Sequence, residues 1–377
     1  MKIIILGTAH PYRGGLSAFN ERLALQLQQE GREVEICTFT LQYPKILFPG
    51  KTQYTNDPAP AGLKITRKLN AINPFSWWLT GKYIRKHKPD MIVTKFWLPF
   101  MAPALGTVNR VAKQKGTRRI SILDNLIPHE KRPGDKLFAR YFVDSVDALV
   151  AMSKSVLADV DIFDPGRKKP RVLVPHPLYD HYGEKLTKEE ARRLLGLPTE
   201  GRYVLFFGFI RDYKGLDLLI DAFGDMRMHD KDIRLLVAGE LYGDPKPYMD
   251  RIRSLDIADR VVLHTDFIPD SQVNRYFCAA DLVAQPYKSA TQSGVTQVAF
   301  HFERPMLVTN VGGLPEIVPD GKVGFVVRPD AQEIADAIVR YYDEGWEERL
   351  TEGVKAEKSK YGWDKMTASI VELRSKN

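Results

Sequence analysis

Tyr203-Val204-Leu205-Phe206-Phe207-Gly208-Phe209-Ile210-Arg211-Asp212-Tyr213-Lys214-Gly215 reads as a buried strand that breaks at a glycine into a loop carrying two cations. Leu216, Leu219, Ile220 and Phe223 then recur at helical spacing, so a helix begins where the loop ends. Strand, loop and helix in this order form the repeating unit of an α/β fold with a parallel sheet. The same unit recurs towards the C-terminus, with strand-like runs at 234–238, 261–265, Leu282–Gln285, 306–311 and Gly324–Val327. It recurs towards the N-terminus as well. The run 2–7 is a short apolar strand, 8–15 is a loop, and Leu16, Phe19, Leu23 and Leu27 follow at helical spacing until Gly31. Further strands are expected at 34–37, Met91–Phe96, 119–123, 148–152 and 171–174.

Pro175-His176-Pro177 interrupts this alternation. It places a junction between a first domain, 1–178, and a second, 179–360, which opens on a capping box of Thr187 and Glu190. A tail, 361–377, carries a final helix with Asp364 as its cap, and its period leaves open which domain it packs against. The expected architecture is two parallel α/β sheets in tandem with a cleft between them, the default place for a ligand.

The length, 377 residues with 44% hydrophobic and 27% charged, suits two globular domains. The net charge of +8 is unevenly spread. Residues 1–178 hold 28 basic and 14 acidic side chains, net +14, whereas 179–377 hold 27 and 33, net −6. No apolar run reaches the ~18 residues of a membrane span, and 3–7 is too short for a signal-peptide core. Two distant cysteines, Cys37 and Cys278, exclude a disulfide framework and a Cys-rich zinc site, and fit a reducing cytoplasm.

Three loops carry candidate chemistry. His10, Arg13, Gly14 and Gly15 lie between the first strand and its helix, where backbone amides and the helix dipole favour phosphate. G-x-G-x-x-G is absent there, and the next strand lacks a ribose-binding acid, so a dinucleotide loses both supports. A tight turn without a ligand reads equally well. Arg211 and Lys214 suit a diphosphate whose charge grows as it leaves, although two solvated loop cations give the same spacing. Ser293, with Gly294 and Val295, opens a helix whose first amides are anion-ready; an ordinary capped helix fits too. Gly312-Gly313 before Glu316 again permits close backbone approach.

Together with Ala279-Ala280-Asp281-Leu282, Pro286, and the run from Pro305 through Gly312-Gly313-Leu314-Pro315-Glu316 to Gly324-Phe325, these segments resemble the family-4, group-1 retaining glycosyltransferases of the GT-B fold. The resemblance is strongest over residues 206–327. It implies two Rossmann-like domains facing across a cleft, the first acceptor-side and the second holding a nucleotide-sugar donor. It also implies transfer of a glycosyl group with retention, without metal or cofactor. By it, Lys214 matches the diphosphate-binding lysine, Gly294 and Val295 supply phosphate amides, and Gly14 and Gly15 lie near donor and acceptor. Phe267 and Ile268 then lie along the nucleobase, and His129 corresponds loosely to a histidine near the sugar; a surface histidine is the alternative. The family's arginine is missing, with Arg211 as the substitute. Its two glutamates fall on Ala290 and Val298, leaving Thr291, Gln292 and Gln297 as nearby polar groups.

The expected protein is a cytoplasmic glycosyltransferase acting on a glycan or lipid-linked acceptor, with catalysis by leaving-group stabilisation and exclusion of water. A nucleotide-sugar epimerase on this fold and a catalytically idle nucleotide-binding scaffold are the other readings. The basic first half points to an anionic acceptor or an anionic membrane surface, and makes acceptor affinity the more salt-sensitive. Nucleic acid is not expected, since no recognition motif accompanies the charge. Residues 73–88, rich in Trp, Phe, Lys and Arg, read either as an interfacial helix or as a helix with its aromatics in the core.

Overall fold

The structure, a computed structural model, describes residues 1–44, 52–128, 132–290 and 293–376. The chain forms two compact units, Met1–Pro177 with Gly362–Asn377, and Leu178–Tyr361. The first runs β1 (Lys2–Leu6), α1 (Gly15–Gln29), β2 (Glu33–Leu41), β3 (Lys64–Asn70), α2 (Pro74–Lys86), β4 (Met91–Phe96), α3 (Ala102–Ala112), β5 (Arg118–Leu123), α4 (Asp135–Val143), β6 (Ala148–Ala151), α5 (Lys154–Phe163) and β7 (Arg171–Leu173). Its sheet has the order β3-β2-β1-β4-β5-β6-β7, and every pair is parallel.

Parallel strands covered by helices on both faces are continuous apolar runs, and β1 and β4 are buried almost throughout. β3 has no counterpart in the sequence reading. It is an edge strand whose seven residues, KITRKLN, are mostly half-exposed or exposed, so it lacks the apolar run that marks its neighbours. β2 extends well beyond 34–37, because Thr38 and Thr40 continue the ladder although they interrupt the apolar run.

The second unit runs α6 (Lys188–Leu194), β8 (Arg202–Phe207), α7 (Leu216–Phe223), α8 (Met226–Asp230), β9 (Ile233–Ala238), α9 (Lys246–Ser254), β10 (Val261–His264), α10 (Val273–Ala279), β11 (Leu282–Gln285), α11 (Gly294–His301), β12 (Met306–Thr309), α12 (Leu314–Ile317), β13 (Gly324–Val327), α13 (Ala331–Asp343) and α14 (Glu347–Lys358). Its parallel sheet has the order β10-β9-β8-β11-β12-β13. Asp281, just before β11, ties this unit together. Its carboxylate accepts from Arg192 at 3.0 Å, from the Tyr203 amide at 2.7 Å and from the Tyr342 hydroxyl at 3.3 Å. The last helix, α15 (Trp363–Glu372), belongs to the first unit and packs on α1. Its N-cap is Gly362; Asp364 sits inside the first turn, where its charge favours the helix dipole without capping it.

In the first unit a buried cation organises the carboxyl edge of the sheet. Lys95, one residue before the end of β4, holds its ammonium 2.8 Å from Asp124 and 3.5 Å above the Phe19 ring. Phe19 also meets His176 and Trp363, each with ring centroids 5.1 Å apart. Burial, reinforced by Lys95, lowers the His176 imidazole from 6.5 to about 3. The folded unit therefore holds neutral histidine over a range in which the unfolded chain binds a proton. That contribution is complete above pH ~6.5 and falls with acidification, by about 1.4 kcal/mol per pH unit, until pH approaches 3. His176→Phe should flatten the pH dependence of urea stability between pH ~6 and 4 by about that slope; an unchanged slope contradicts the assignment.

One backbone contact in the second unit permits no side chain. Gly215 has φ +68°, and a Cβ there would meet the Pro286 carbonyl oxygen at 1.9 Å. Gly215→Ala should cost about 2–4 kcal/mol in chemical denaturation, from strain and overpacking together; an undiminished stability contradicts the contact.

Candidate functional site

In an open parallel sheet, ligands gather at the carboxyl ends of the two strands where strand order reverses. In the second unit those strands are β8 and β11, and the loops that follow them hold most of the expected donor-side residues. They are stitched together directly. The Lys288 amide donates to the Tyr213 carbonyl at 2.8 Å, and the Lys288 ammonium lies 2.8 Å from both Asp212 and Asp217.

Lys214 sits in a single 3-10 turn, 212–214, closed by Gly215. Its ammonium donates to the Tyr287 hydroxyl at 2.7 Å and lies 4.1 Å from the centre of that ring. Tyr287 is buried, and its hydroxyl is 3.1 Å from Ser293 Oγ, while its carbonyl accepts from Thr309 Oγ1 at 2.6 Å. An ammonium can only donate, so the Tyr287 oxygen is the acceptor in that pair, and either hydroxyl can donate in the contact with Ser293. Burial lowers the Lys214 ammonium from its ordinary range and raises the Tyr287 phenol. Among the described residues Lys214 has no carboxylate partner. A desolvated cation beside a neutral hydroxyl is a site waiting for an anion.

Ser293 precedes α11 but makes no side-chain cap, because its hydroxyl is engaged with Tyr287. The first amides of α11 are thereby left without that acceptor. Gly294, the first residue of α11, has little room for a side chain, since a Cβ there would lie 2.9 Å from the Tyr179 ring. Val295 packs over Gly208, at 3.5 Å from where a Cβ would stand.

Arg211 is half-buried, its guanidinium 4.8 Å from the Tyr242 ring, which in turn stacks on Phe209 at 5.0 Å. Sequence reasoning missed Tyr242 and Tyr287. Both stand in loops after other strands, and only the strand order brings them beside Arg211 and Lys214. Phe267 and Ile268 are half-buried after β10, and Glu316 is exposed in the first turn of α12. Ala290 and Val298 are buried apolar residues, and Gln297 is fully buried. Thr291, Gln292 and His129 lie outside the described residues.

In the first unit the order reverses between β1 and β4, and the 8–15 loop follows β1. Gly14, at φ +93°, is the N-cap of α1, and Gly15 is its first residue. The His10 and Arg13 side chains hold the neighbouring segment, reaching the Asp57 carbonyl at 3.2 Å and the Thr52 carbonyl at 2.8 Å. Behind the loop, Glu21 accepts from the His10 amide at 2.6 Å and from Ser17 Oγ at 2.8 Å, and burial raises its carboxyl above the usual range.

Residues 201–344 match the family described as glycosyl transferases group 1. D-inositol 3-phosphate glycosyltransferase of Corynebacterium aurimucosum is 29% identical over 274 residues, which is 68% of this chain and 64% of that protein. The match thus spans less than two thirds of that relative. Among solved structures, sucrose-phosphate synthase of Thermosynechococcus elongatus superposes with a TM-score of 0.77 at 18% identity, covering 99% of this chain and 98% of the other. The Anabaena protein HepE, solved with UDP, gives 0.72 at 17% identity with both chains fully covered. The group 1 match is thus confined to residues 201–344, while the likeness to these neighbours extends over the whole chain and shows that its two all-parallel α/β units carry the GT-B fold.

Proposed function

We propose that the protein is a retaining, metal-independent glycosyltransferase. It moves a hexose-like sugar from a nucleoside-diphosphate donor to a growing glycan or lipid-linked acceptor, in cell-surface polysaccharide or glycolipid synthesis at the cytoplasmic face of a membrane. The observation that carries this reading is half-buried Lys214, whose ammonium faces the Tyr287 hydroxyl instead of a carboxylate, beside the start of α11. The group 1 match and the UDP and UDP-glucose complexes of the Anabaena neighbour support a nucleotide-sugar donor.

As the bond between the sugar and the diphosphate breaks, negative charge grows on the departing phosphate. Lys214, Arg211 and the Gly294 and Val295 amides stabilise that charge more than the bound donor's, which lowers the barrier. These cations supply the neutralisation that a divalent ion would otherwise give. Phe267 and Ile268 flank the base. With alanine and valine at positions 290 and 298, the sugar and ribose hydroxyls fall to Thr291, Gln292, Ser293 and Glu316. His10, Arg13 and the 8–15 loop serve the acceptor side, and His129 the reacting sugar. The loss of the two acids also favours a second reading, a nucleotide-binding scaffold without turnover.

Nucleotide release from a panel of UDP-, ADP- and GDP-sugars separates these. Slow release from one donor is expected. Lys214→Ala should lower it by about 10²–10³-fold, and Tyr287→Phe by about tenfold, the lower end for a hydrogen bond to a charged group. Tight binding without turnover, even with acceptors present, favours the scaffold. An epimerised donor without release favours the epimerase. Release unaffected by Lys214→Ala overturns the assignment of that residue.

A further inference from the structure

The basic character of the first unit has a focus. Residues 58–89, thirty-two positions, contain no Asp or Glu and seven cations: Lys64, Arg67, Lys68, Lys82, Arg85, Lys86 and Lys88. α2 lies within this run, and its two tryptophans part company. Trp77 turns inward, its indole N–H donating to the Asn70 carbonyl at 2.7 Å, and Ile84 is fully buried. Phe75, Trp78 and Leu79 face outward with 66%, 44% and 47% of their surfaces exposed, and Ile72, just before the helix, with 51%.

The spacing of the exposed residues is helical. Phe75, the pair Trp78 and Leu79, Lys82, and the pair Arg85 and Lys86 recur at three- and four-residue spacing and form one stripe, apolar at its start and cationic at its end. Within it the Lys82 ammonium lies 4.9 Å from the Trp78 ring. Phe75 and Trp78 stack on each other at 6.0 Å, and neither ring meets another aromatic ring among the described residues. α2 packs on α3, which in turn packs on α4, and α4 exposes Leu137 and Phe138 beside Lys136 and Arg140. α3 itself is buried or half-buried along its length.

The geometry points to the stripe on α2 as a docking surface for an anionic lipid bilayer, with Ile72, Phe75, Trp78 and Leu79 entering the interface and Lys82, Arg85 and Lys86 on the headgroups. Exposed aromatic and aliphatic side chains gain free energy at the acyl boundary, and each nearby cation gains from the negative surface potential. A second copy of this chain is the poorer occupant, since it would set one acid-free cationic stripe against another. The stripe belongs to the first unit and Lys214 to the second, so the proposal stands or falls independently of the donor chemistry.

The test is co-sedimentation of the full chain with phosphatidylcholine vesicles, with and without ~30% phosphatidylglycerol, at low and high salt, without substrate. Binding is expected only to the anionic vesicles, and should weaken at least about tenfold at high salt. Phe75→Ser/Trp78→Ser/Leu79→Ser and Lys82→Glu/Arg85→Glu/Lys86→Glu should each weaken it by about tenfold or more while far-UV dichroism stays unchanged. Arg193→Glu/Lys246→Glu/Arg253→Glu, with the same change in net charge on exposed residues of the second unit, should keep it. The proposal is overturned if wild type stays in the supernatant at low salt, or if the second-unit variant loses as much as the α2 variants. It is equally overturned if the α2 variants abolish a concentration-dependent dimer that does not bind vesicles.

Discussion

The second unit depends on how closely its β8 and β11 loops approach each other. The chain passes Gly215 so near the Pro286 carbonyl that no side chain fits, and that proximity lets Lys214 and Tyr287 meet across two strands. Strand order puts these loops side by side; the glycine lets them touch. From this follow the desolvated ammonium, the contact between the Tyr287 and Ser293 hydroxyls, and a helix start left uncapped by its own serine. An anion bound there would meet a cation and free amides already in place, with little reorganisation.

The first unit solves a similar problem differently. Its buried cation, Lys95, is neutralised within the fold by Asp124 and covered by the Phe19 ring. Burial still lowers its ammonium from the ordinary range, and its field helps keep His176 neutral. Lys95 and Lys214 both stand near the carboxyl edge of a parallel sheet. One is satisfied by its own protein; the other has no carboxylate partner among the described residues.

Much of this was legible in the sequence because parallel strands are written as apolar runs with glycines at their ends. β4, β11 and β13 match their runs residue for residue, and Lys214 stood out by its place between strand and helix. β3 did not, because an edge strand need not be apolar. Nor did Tyr287, whose partner is 73 residues away, or Glu21, whose burial depends on the loop folding back over it. The aromatic run at 73–88 gave no single periodic face because its residues divide: Trp77 serves the interior and Trp78 the surface.

The central claim is transfer with retention from a nucleotide-sugar. Proton NMR of the first sugar released during slow hydrolysis of an α-linked donor by the full chain tests it most directly. The account predicts that the α-anomer forms first and then mutarotates. A β-anomer appearing first, or no sugar released from any donor in the panel, would contradict it.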